Sequence, residues 1–340
     1  MKTEYDVAIV GATGAVGEAL LAGLAERKFP VGNIYPLASA RSLDKTVKFA
    51  GHEVDVMDVA TFDFSQADIA FFSAGSSVSE EYAPVAVAAD CLVIDNTSFF
   101  RYEDDIPLVV PEVNPECIAN YTKRGIIANP NCSTIQMVVA LKPLHDEVGI
   151  KRINVATYQA VSGTGRAAIK ELVHQATELL NGRPVTPEVY SQQIAFNVLP
   201  HIDDFEENGY TREEMKMVWE TQKILGDERI SVNPTAVRVP VLYGHAEAIH
   251  VELSAPLSAK EARALLAKAP GVTLIDNAKG TKYPTPISHG TGHDDVFVGR
   301  IREDISHPNG LNLWVVADNI RKGAAINAIQ IAELYVRVYN

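Results

Sequence analysis

The chain has 340 residues, 47% of them hydrophobic, enough to bury two cores and to exclude long disordered tracts. Its net charge of −13 excludes nucleic acid and anionic membranes as main partners, while leaving room for a local basic pocket for a phosphorylated small molecule. Three cysteines, Cys91, Cys117 and Cys132, have no metal-ligand spacing, and the start Met-Lys-Thr-Glu-Tyr-Asp-Val lacks the apolar core of a signal peptide. A reducing cytoplasm and no bound metal are therefore expected, and no apolar run is long enough to cross a bilayer.

Tyr5–Val10 is a short apolar strand that runs into Gly11-Ala12-Thr13-Gly14-Ala15-Val16-Gly17, and residues 18–24 follow with helical period. Strand, glycine-rich turn and helix make a dinucleotide-binding opening. The first glycines let backbone approach a pyrophosphate, the helix N-terminus attracts its charge, and the last glycine permits close helix-to-sheet packing. Because the spacing is G-x-x-G-x-x-G rather than G-x-G-x-x-G, the strand-to-helix context carries the reading. A second strand at residues 33–37 should end near the adenosine ribose. There the chain offers Ala38-Ser39-Ala40-Arg41-Ser42 instead of an acid for the 2′-hydroxyl. An arginine between hydroxyls suits a 2′-phosphate, so NADP is expected over NAD.

Residues 68–75 form another strand ending in Ser73-Ala74-Gly75, followed by a helix at about 79–89 and a strand at 91–95. Alternating strands and helices imply a parallel sheet wound on both faces, with ligands beyond the carboxyl ends of the strands. Ser73, Gly75 and Asn96-Thr97-Ser98 would sit there. Arg101 follows on the same side, where its planar guanidinium suits a carboxylate or phosphate.

Asn129-Pro130-Asn131-Cys132-Ser133-Thr134 lies between an apolar strand, Ile126–Ala128, and a helix read over residues 135–148. Cys132 thus falls at or just before a helix N-terminus. Unpaired N–H groups there favour a thiolate and could hold an oxygen that turns negative, which is the setting of a nucleophile; a buried, inert cysteine is the alternative, and the rest of the chain has to decide between them.

Beyond it come a strand at 151–160, a helix at about 167–180, a break at Asn181-Gly182-Arg183-Pro184 and a loop-rich stretch to about Gly209. A helix at 211–225 opens on Thr211-Arg212-Glu213-Glu214, a capping start. On it Lys216, Glu220 and Lys223 share one face, which by spacing alone reads as a solvated, salt-bridged face. Strands at 230–237, 246–254, 271–275, 295–301 and 311–317, with a helix near 259–268, suggest an open mixed sheet in a second α+β domain. A last helix at about 322–338 should return to the nucleotide domain. His245 ends Arg238-Val239-Pro240-Val241-Leu242-Tyr243-Gly244-His245 at a strand start. It is the one histidine beside an arginine-bearing, proline-fixed strand end, and a nucleophilic cysteine needs such a base.

Taken together, these pieces resemble the aspartate-semialdehyde dehydrogenase family, in its shorter bacterial branch. Residues 11–17, 39–42, 129–134, 158–163, 220–223, 238–245 and 318–324 carry the resemblance, above all Asn-Pro-Asn-Cys-Ser-Thr and Arg-Val-Pro-Val-x-x-Gly-His. It implies an NADP-dependent enzyme between aspartate and lysine, threonine and methionine. In it Cys132 forms the acyl thioester, His245 is the acid/base, and Gln159 orients the acyl intermediate with Asn131 close by. It implies that Arg238 takes the substrate carboxylate and Glu220 its ammonium. The phosphate falls to Arg101 with Lys223 or Lys216, the run Glu220-Thr221-Gln222-Lys223 favouring Lys223. Gly11, Thr13, Gly14, Ala15, Val16, Ser39, Arg41, Ser42, Ser73, Gly75, Ser162, Gly163 and Asn319 are the expected NADP-binding set.

The expected architecture is α/β: a Rossmann-type doubly wound parallel sheet, residues 1–131 with 320–340, binding NADP, and a catalytic and dimerisation domain with a mixed sheet, residues 132–319. The resemblance implies a homodimer. N-acetyl-γ-glutamyl-phosphate reductase, with similar domains and cysteine chemistry, is the alternative enzyme, and a silent nucleotide-binding regulator the alternative from another class. Glu220 favours a free ammonium over an acetylated nitrogen, and a silent paralogue need not keep both Cys132 and His245.

Overall fold

Strands β1 (Tyr5–Val10), β6 (Ile69–Phe72) and β7 (Leu92–Asp95) are buried almost end to end, as strands must be when helices cover both faces of a parallel sheet. They form the centre of a six-stranded, all-parallel sheet in the order β5-β2-β1-β6-β7-β8, with β2 at Val31–Ala38, β5 at Met57–Asp58 and β8 at Ile126–Ala128. A hairpin of β3 (Thr46–Phe49) and β4 (His52–Asp55) stands apart from it. The computed structural model describes residues 2–277, 279 and 281–338. The outermost residues of the expected nucleotide-binding segments, Met1, Tyr339 and Asn340, lie outside the described residues, as do Ala278 and Gly280.

Helices α1 (Ala15–Glu26), α2 (Ser76–Ala88) and α7 (Ile326–Val338) belong with this sheet, and α1 and α7 pack on one another. Leu20, Leu21 and Leu24 of α1 and Ile326, Ile329 and Ile331 of α7 are essentially fully buried in one cluster with β1 and β6. Each such side chain contributes roughly 1.5–3 kcal/mol by leaving water. The expected doubly wound parallel sheet is what forms. The last helix is shorter than the expected 322–338, because Arg321–Ala325 is a wider π turn before α7.

By contact the chain divides into two units, Met1–Asn131 with Gly323–Asn340, and Cys132–Lys322. The second is built on a six-stranded mixed sheet in the order β10-β9-β11-β14-β13-β12. Its strands are β9 (Ile150–Gln159), β10 (Ser231–Arg238), β11 (His245–Leu253), β12 (Val272–Leu274), β13 (Val296–Glu303) and β14 (Gly310–Ala317). β9 and β10 run parallel, while β11 is antiparallel to β9 and β14, so the ends of β9 and β10 meet the start of β11 and the end of β14. Helix α3 (Cys132–Val148) packs across this sheet and against α5 (Arg212–Leu225) and α6 (Ala259–Leu266); α4 (Arg166–Leu180) covers the turn after β9. The capping box expected at Thr211 is present: its hydroxyl accepts from the Glu214 N–H and the Glu214 carboxylate accepts from the Thr211 N–H.

Candidate active site

In the first unit the sheet order reverses between β1 and β6, and the turns after these strands meet there. Gly11 has a φ of 93°, and a Cβ on it would stand 3.0 Å from Ser73 and Ala74. On Gly17 a Cβ would come within 2.2 Å of the Gly11 carbonyl oxygen. The turn is therefore closed to any larger residue at either end. Gly14 is the N-cap of α1 and supplies no side-chain cap, so the first-turn N–H groups are left for an outside acceptor. Thr13, Ala15 and Val16 are only partly buried around it. After β2, Ser39 precedes a short 3-10 turn, Ala40–Ser42, that carries Arg41 exposed. Gly75, with φ 99° and open space where a Cβ would go, caps α2. A glycine cradle, an uncapped helix and an exposed arginine fit a phosphorylated dinucleotide.

Asp95, fully buried at the end of β7, accepts from the Ser79 hydroxyl and from the N–H and hydroxyl of Thr97. Burial pushes its carboxyl up against these hydrogen bonds. Arg101, also buried, donates from Nη2 to the Asn96 carbonyl at 2.8 Å. Asn129 is held by a 2.7 Å bond from Asn327 of α7, and the buried Asn131 leads directly into Cys132.

Cys132 is the first residue of α3, three residues earlier than the pattern suggested, because Ser133 and Thr134 read as loop formers. Its side chain is partly exposed. Of the other two cysteines, Cys91 is buried and its thiol pushed up to about 12, and Cys117 is raised by burial and by Glu116. Next to Cys132, the Ser133 hydroxyl accepts a 2.8 Å hydrogen bond from Gln159 Nε2. The same amide donates to Glu213 at 3.1 Å, and the Gln159 carbonyl oxygen accepts from Arg238 at 3.4 Å. Gln159 ends β9, pairs in register with Arg238 at the end of β10, and is buried. One carboxamide thus joins the helix that begins at Cys132, two strands and α5.

His245, at the start of β11, is fully buried beside this carboxamide. The Ala160 N–H donates to its Nδ1 at 3.0 Å, which places the ring proton on Nε2. Among the described residues Nε2 has no hydrogen-bond partner. Burial first, and the Arg238 charge second, push the imidazole down to about 3, so the ring is neutral. Arg238 is fixed by the Ala160 carbonyl at 2.7 Å, while its Nε is unpartnered among the described residues. Both groups face Gly163: a Cβ there would stand 2.9 Å from Arg238 Nη1 and 3.4 Å from His245 Nε2. Asn319, just beyond β14, accepts from the Gly244 N–H and the Ser162 hydroxyl, and its Nδ2 is unpartnered among the described residues.

Helix α5 brings a further acid and lysine to this cluster. Glu213, not Glu220, reaches Gln159, and its second oxygen accepts from Lys216, which also donates to Asp203. Glu220 and Lys223 lie seven residues further on, about 10 Å along the helix. Glu220 is fully buried there. Among the described residues no cluster of His, Cys, Asp or Glu could hold a metal, and no helix is long and apolar enough to cross a membrane.

A family described as semialdehyde dehydrogenase, NAD binding domain, matches residues 6–121, and one described as semialdehyde dehydrogenase, dimerisation domain, matches residues 141–322. The aspartate-semialdehyde dehydrogenase of Legionella pneumophila is 69% identical over 100% of this chain and 98% of its own length. Aspartate-semialdehyde dehydrogenase 2 of Vibrio cholerae is 60% identical over the full length of both. Among solved structures, Vibrio cholerae aspartate semialdehyde dehydrogenase II complexed with ASA superposes with a TM-score of 0.98 at 59% identity, covering all of both chains. The Candida albicans enzyme with NADP gives 0.77 at 26% identity over 98% of each.

Proposed function

The chain belongs to the aspartate-semialdehyde dehydrogenase family, and from that premise we propose that it reduces L-aspartyl-4-phosphate to L-aspartate 4-semialdehyde through a thioester on Cys132. The observation that carries this reading is the Gln159 carboxamide, bonded at once to Ser133, Glu213 and Arg238 while its neighbour Ala160 holds His245.

In the biosynthetic direction the Cys132 thiolate attacks the acyl-phosphate carbon, the C–S bond forms and inorganic phosphate leaves. Reduced NADP, bound by residues of the 11–17 turn with Ser39, Arg41, Ser42, Ser73, Gly75, Ser162, Gly163 and Asn319, supplies the hydride that brings the thioester to the aldehyde level. N–H groups of the first α3 turn, with Asn131, hold the oxygen while it is negative. Collapse of the tetrahedral adduct breaks the C–S bond and returns the thiolate. His245, neutral and with its proton on Nε2, donates to the reacting oxygen. To accept the thiol proton at Nε2 in the oxidative direction, it must give up the Ala160 hydrogen bond.

Arg238, its Nε left over after the Ala160 and Gln159 contacts, takes the substrate α-carboxylate. Glu213 takes the ammonium, in place of Glu220. Arg101 and Lys216 take the phosphate, Lys216 being the lysine that Glu213 holds at the cluster. An acetylated nitrogen would leave Glu213 facing a neutral amide, which speaks against the N-acetyl-γ-glutamyl substrate.

A second copy of the chain should cover the face of the mixed sheet that carries Asn154, Tyr158, Ala248, His250 and Trp314. This face holds a cavity of about 330 Å³ lined by Tyr283, Pro284, Pro286, Arg300, Arg302 and Trp314 among others. Its support is the family's dimerisation domain together with these partly exposed aromatic and apolar side chains. Location in the cytoplasm goes with a soluble biosynthetic role. The test of the activity is absorbance at the reduced-nicotinamide band with aspartate semialdehyde, phosphate and NADP, omitting each in turn. Reduction should need all three, and N-acetylglutamate semialdehyde should not replace the substrate; absence of turnover would remove the reading.

A further inference from the structure

Helix α4 buries two polar side chains, Gln175 completely and Glu171 nearly so. A helix face that only packed against its neighbours would carry apolar residues there, as this one does at Ala168 and Leu172. What both polar side chains meet is backbone. Residues 181–211, between α4 and α5, form no helix or strand, so their buried N–H groups need acceptors from elsewhere. Gln175 Oε1 accepts from the N–H groups of Ile194 and Ala195 at 3.0 and 3.1 Å. Glu171 Oε2 accepts from the N–H of Glu188, at 3.1 Å, and from that of Val189. The Gln175 amide donates to Glu171 Oε1 at 3.0 Å and so locks the two acceptors together.

The pinned loop leads to Arg238. Asn197 closes its last turn, donating to the Gln193 carbonyl and accepting from the Val198 N–H. Between these contacts Phe196 has a φ of 59°, a left-handed backbone that an aromatic residue keeps only where its flanks fix it. Leu199, buried in one cluster with Leu172, Ile194 and Ala195, then pairs with Arg238 on the outer side of the edge strand β10. The Leu199 N–H donates to the Arg238 carbonyl at 2.9 Å, and the Arg238 N–H donates to the Leu199 carbonyl at 2.8 Å. The main-chain N–H and carbonyl of Arg238 are thus both held by this loop residue. We propose that Glu171 and Gln175 are positioning residues for the substrate carboxylate: through the loop they pin, they set where Leu199 holds the main chain of Arg238. This role rests on the carboxylate contact proposed above for Arg238. Neither side chain touches a reactant.

Swapping the two side chains tests it. In the double variant Glu171→Gln, Gln175→Glu every hydrogen bond re-forms, with the amide now donating from position 171. Glu171→Gln alone sets amide against amide, and Gln175→Glu alone sets carboxylate against carboxylate. Each single variant should raise KM for aspartate semialdehyde about tenfold with kcat within about threefold of the parent, and the swap should bring KM back to within about threefold. For 3-aminopropanal, which lacks the carboxylate, the parent and all three variants should agree in kcat/KM to about twofold, whereas a merely structural role would lower both aldehydes alike. Unchanged KM in both single variants, equal losses on the two aldehydes, or a swap no better than the single variants would overturn the proposal. If neither single variant folds, Gln175→Met keeps the volume, removes the acceptor and should show the same rise in KM. A parent chain inactive on aspartate semialdehyde would instead sink the reaction. The pinning is then read from hydrogen exchange at the Arg238 amide, which each single variant should speed about tenfold and the swap should leave unchanged.

Discussion

In the first unit the groups suited to a nucleotide's pyrophosphate come from a single turn, residues 11–17, and act through backbone N–H groups and the absence of side chains, with Arg41 added from the turn after β2. In the second, contacts to the Gln159–Ala160 corner come from residues 26, 54, 79 and 85 positions away, all through side chains. The first kind of site is local and tolerant of its surroundings. The second exists only once β9, β10, β11, α3 and α5 have packed, so one residue at its centre controls several functions at once. Damage to the first should weaken one ligand; damage to the second should stop the chemistry.

The largest effect tests that division at the sulfur. Cys132→Ala should lower turnover by about 10³-fold or more, while NADP titrated by fluorescence binds nearly as to the parent chain. Substantial residual turnover would remove the covalent step. Next, Gln159→Leu should cost about 10²-fold in kcat/KM for the semialdehyde, because Ser133, Glu213 and Arg238 all lose a partner together, again with little change in NADP binding. A loss no larger than that of a single hydrogen bond would show that the carboxamide is not the centre. On the other side of the comparison, Arg41→Ser should raise KM for NADP by roughly 10- to 100-fold, as loss of a charge-assisted contact implies, and leave NAD unaffected. An unchanged NADP to NAD ratio would show that the ribose pocket lies elsewhere.

Legibility in the sequence followed the same division. The β1 turn and α1 could be read because glycine is demanded at Gly11 by a positive φ and at Gly17 by contact with the Gly11 carbonyl. Cys132, Gln159, Arg238 and His245 were legible as motifs, and the structure gathers Gln159, Arg238 and His245 at one end of the mixed sheet, with Cys132 beginning the helix tied to it through Ser133. Glu213 was missed. Glu213 with Lys216 and Glu220 with Lys223 repeat the same i, i+3 pair one heptad apart, and seven residues rotate a helix by only about 20°. Helical period alone cannot choose between them. The available signal was the capping box at Thr211, which marks Glu213 as a first-turn residue near the strand ends. The β3–β4 hairpin was also missed, since its turn uses Ala50 and Gly51, both with positive φ, rather than the usual Asn-Gly.

The smallest expected effect is on stability. His245 is pushed down from an ordinary 6.5 to about 3 by burial, so the unfolded chain accepts a proton that the folded chain refuses. This contribution is complete above pH 6.5 and is lost as pH falls toward 3. His245→Asn should therefore lose less stability than the parent between about pH 6 and pH 4, by up to roughly 1 kcal/mol per pH unit, read from urea midpoints. Parallel pH dependence in the two chains would mean that the ring is not held neutral by its surroundings.

The central claim is that one cysteine of three carries the acyl group. Incubating the chain with L-aspartyl-4-phosphate without reduced nucleotide, then mapping the digest by mass spectrometry, tests it directly. The account predicts a hydroxylamine-labile aspartyl adduct on the peptide containing Cys132 and none on those containing Cys91 or Cys117. An adduct on either of the latter, or none at all, would contradict it.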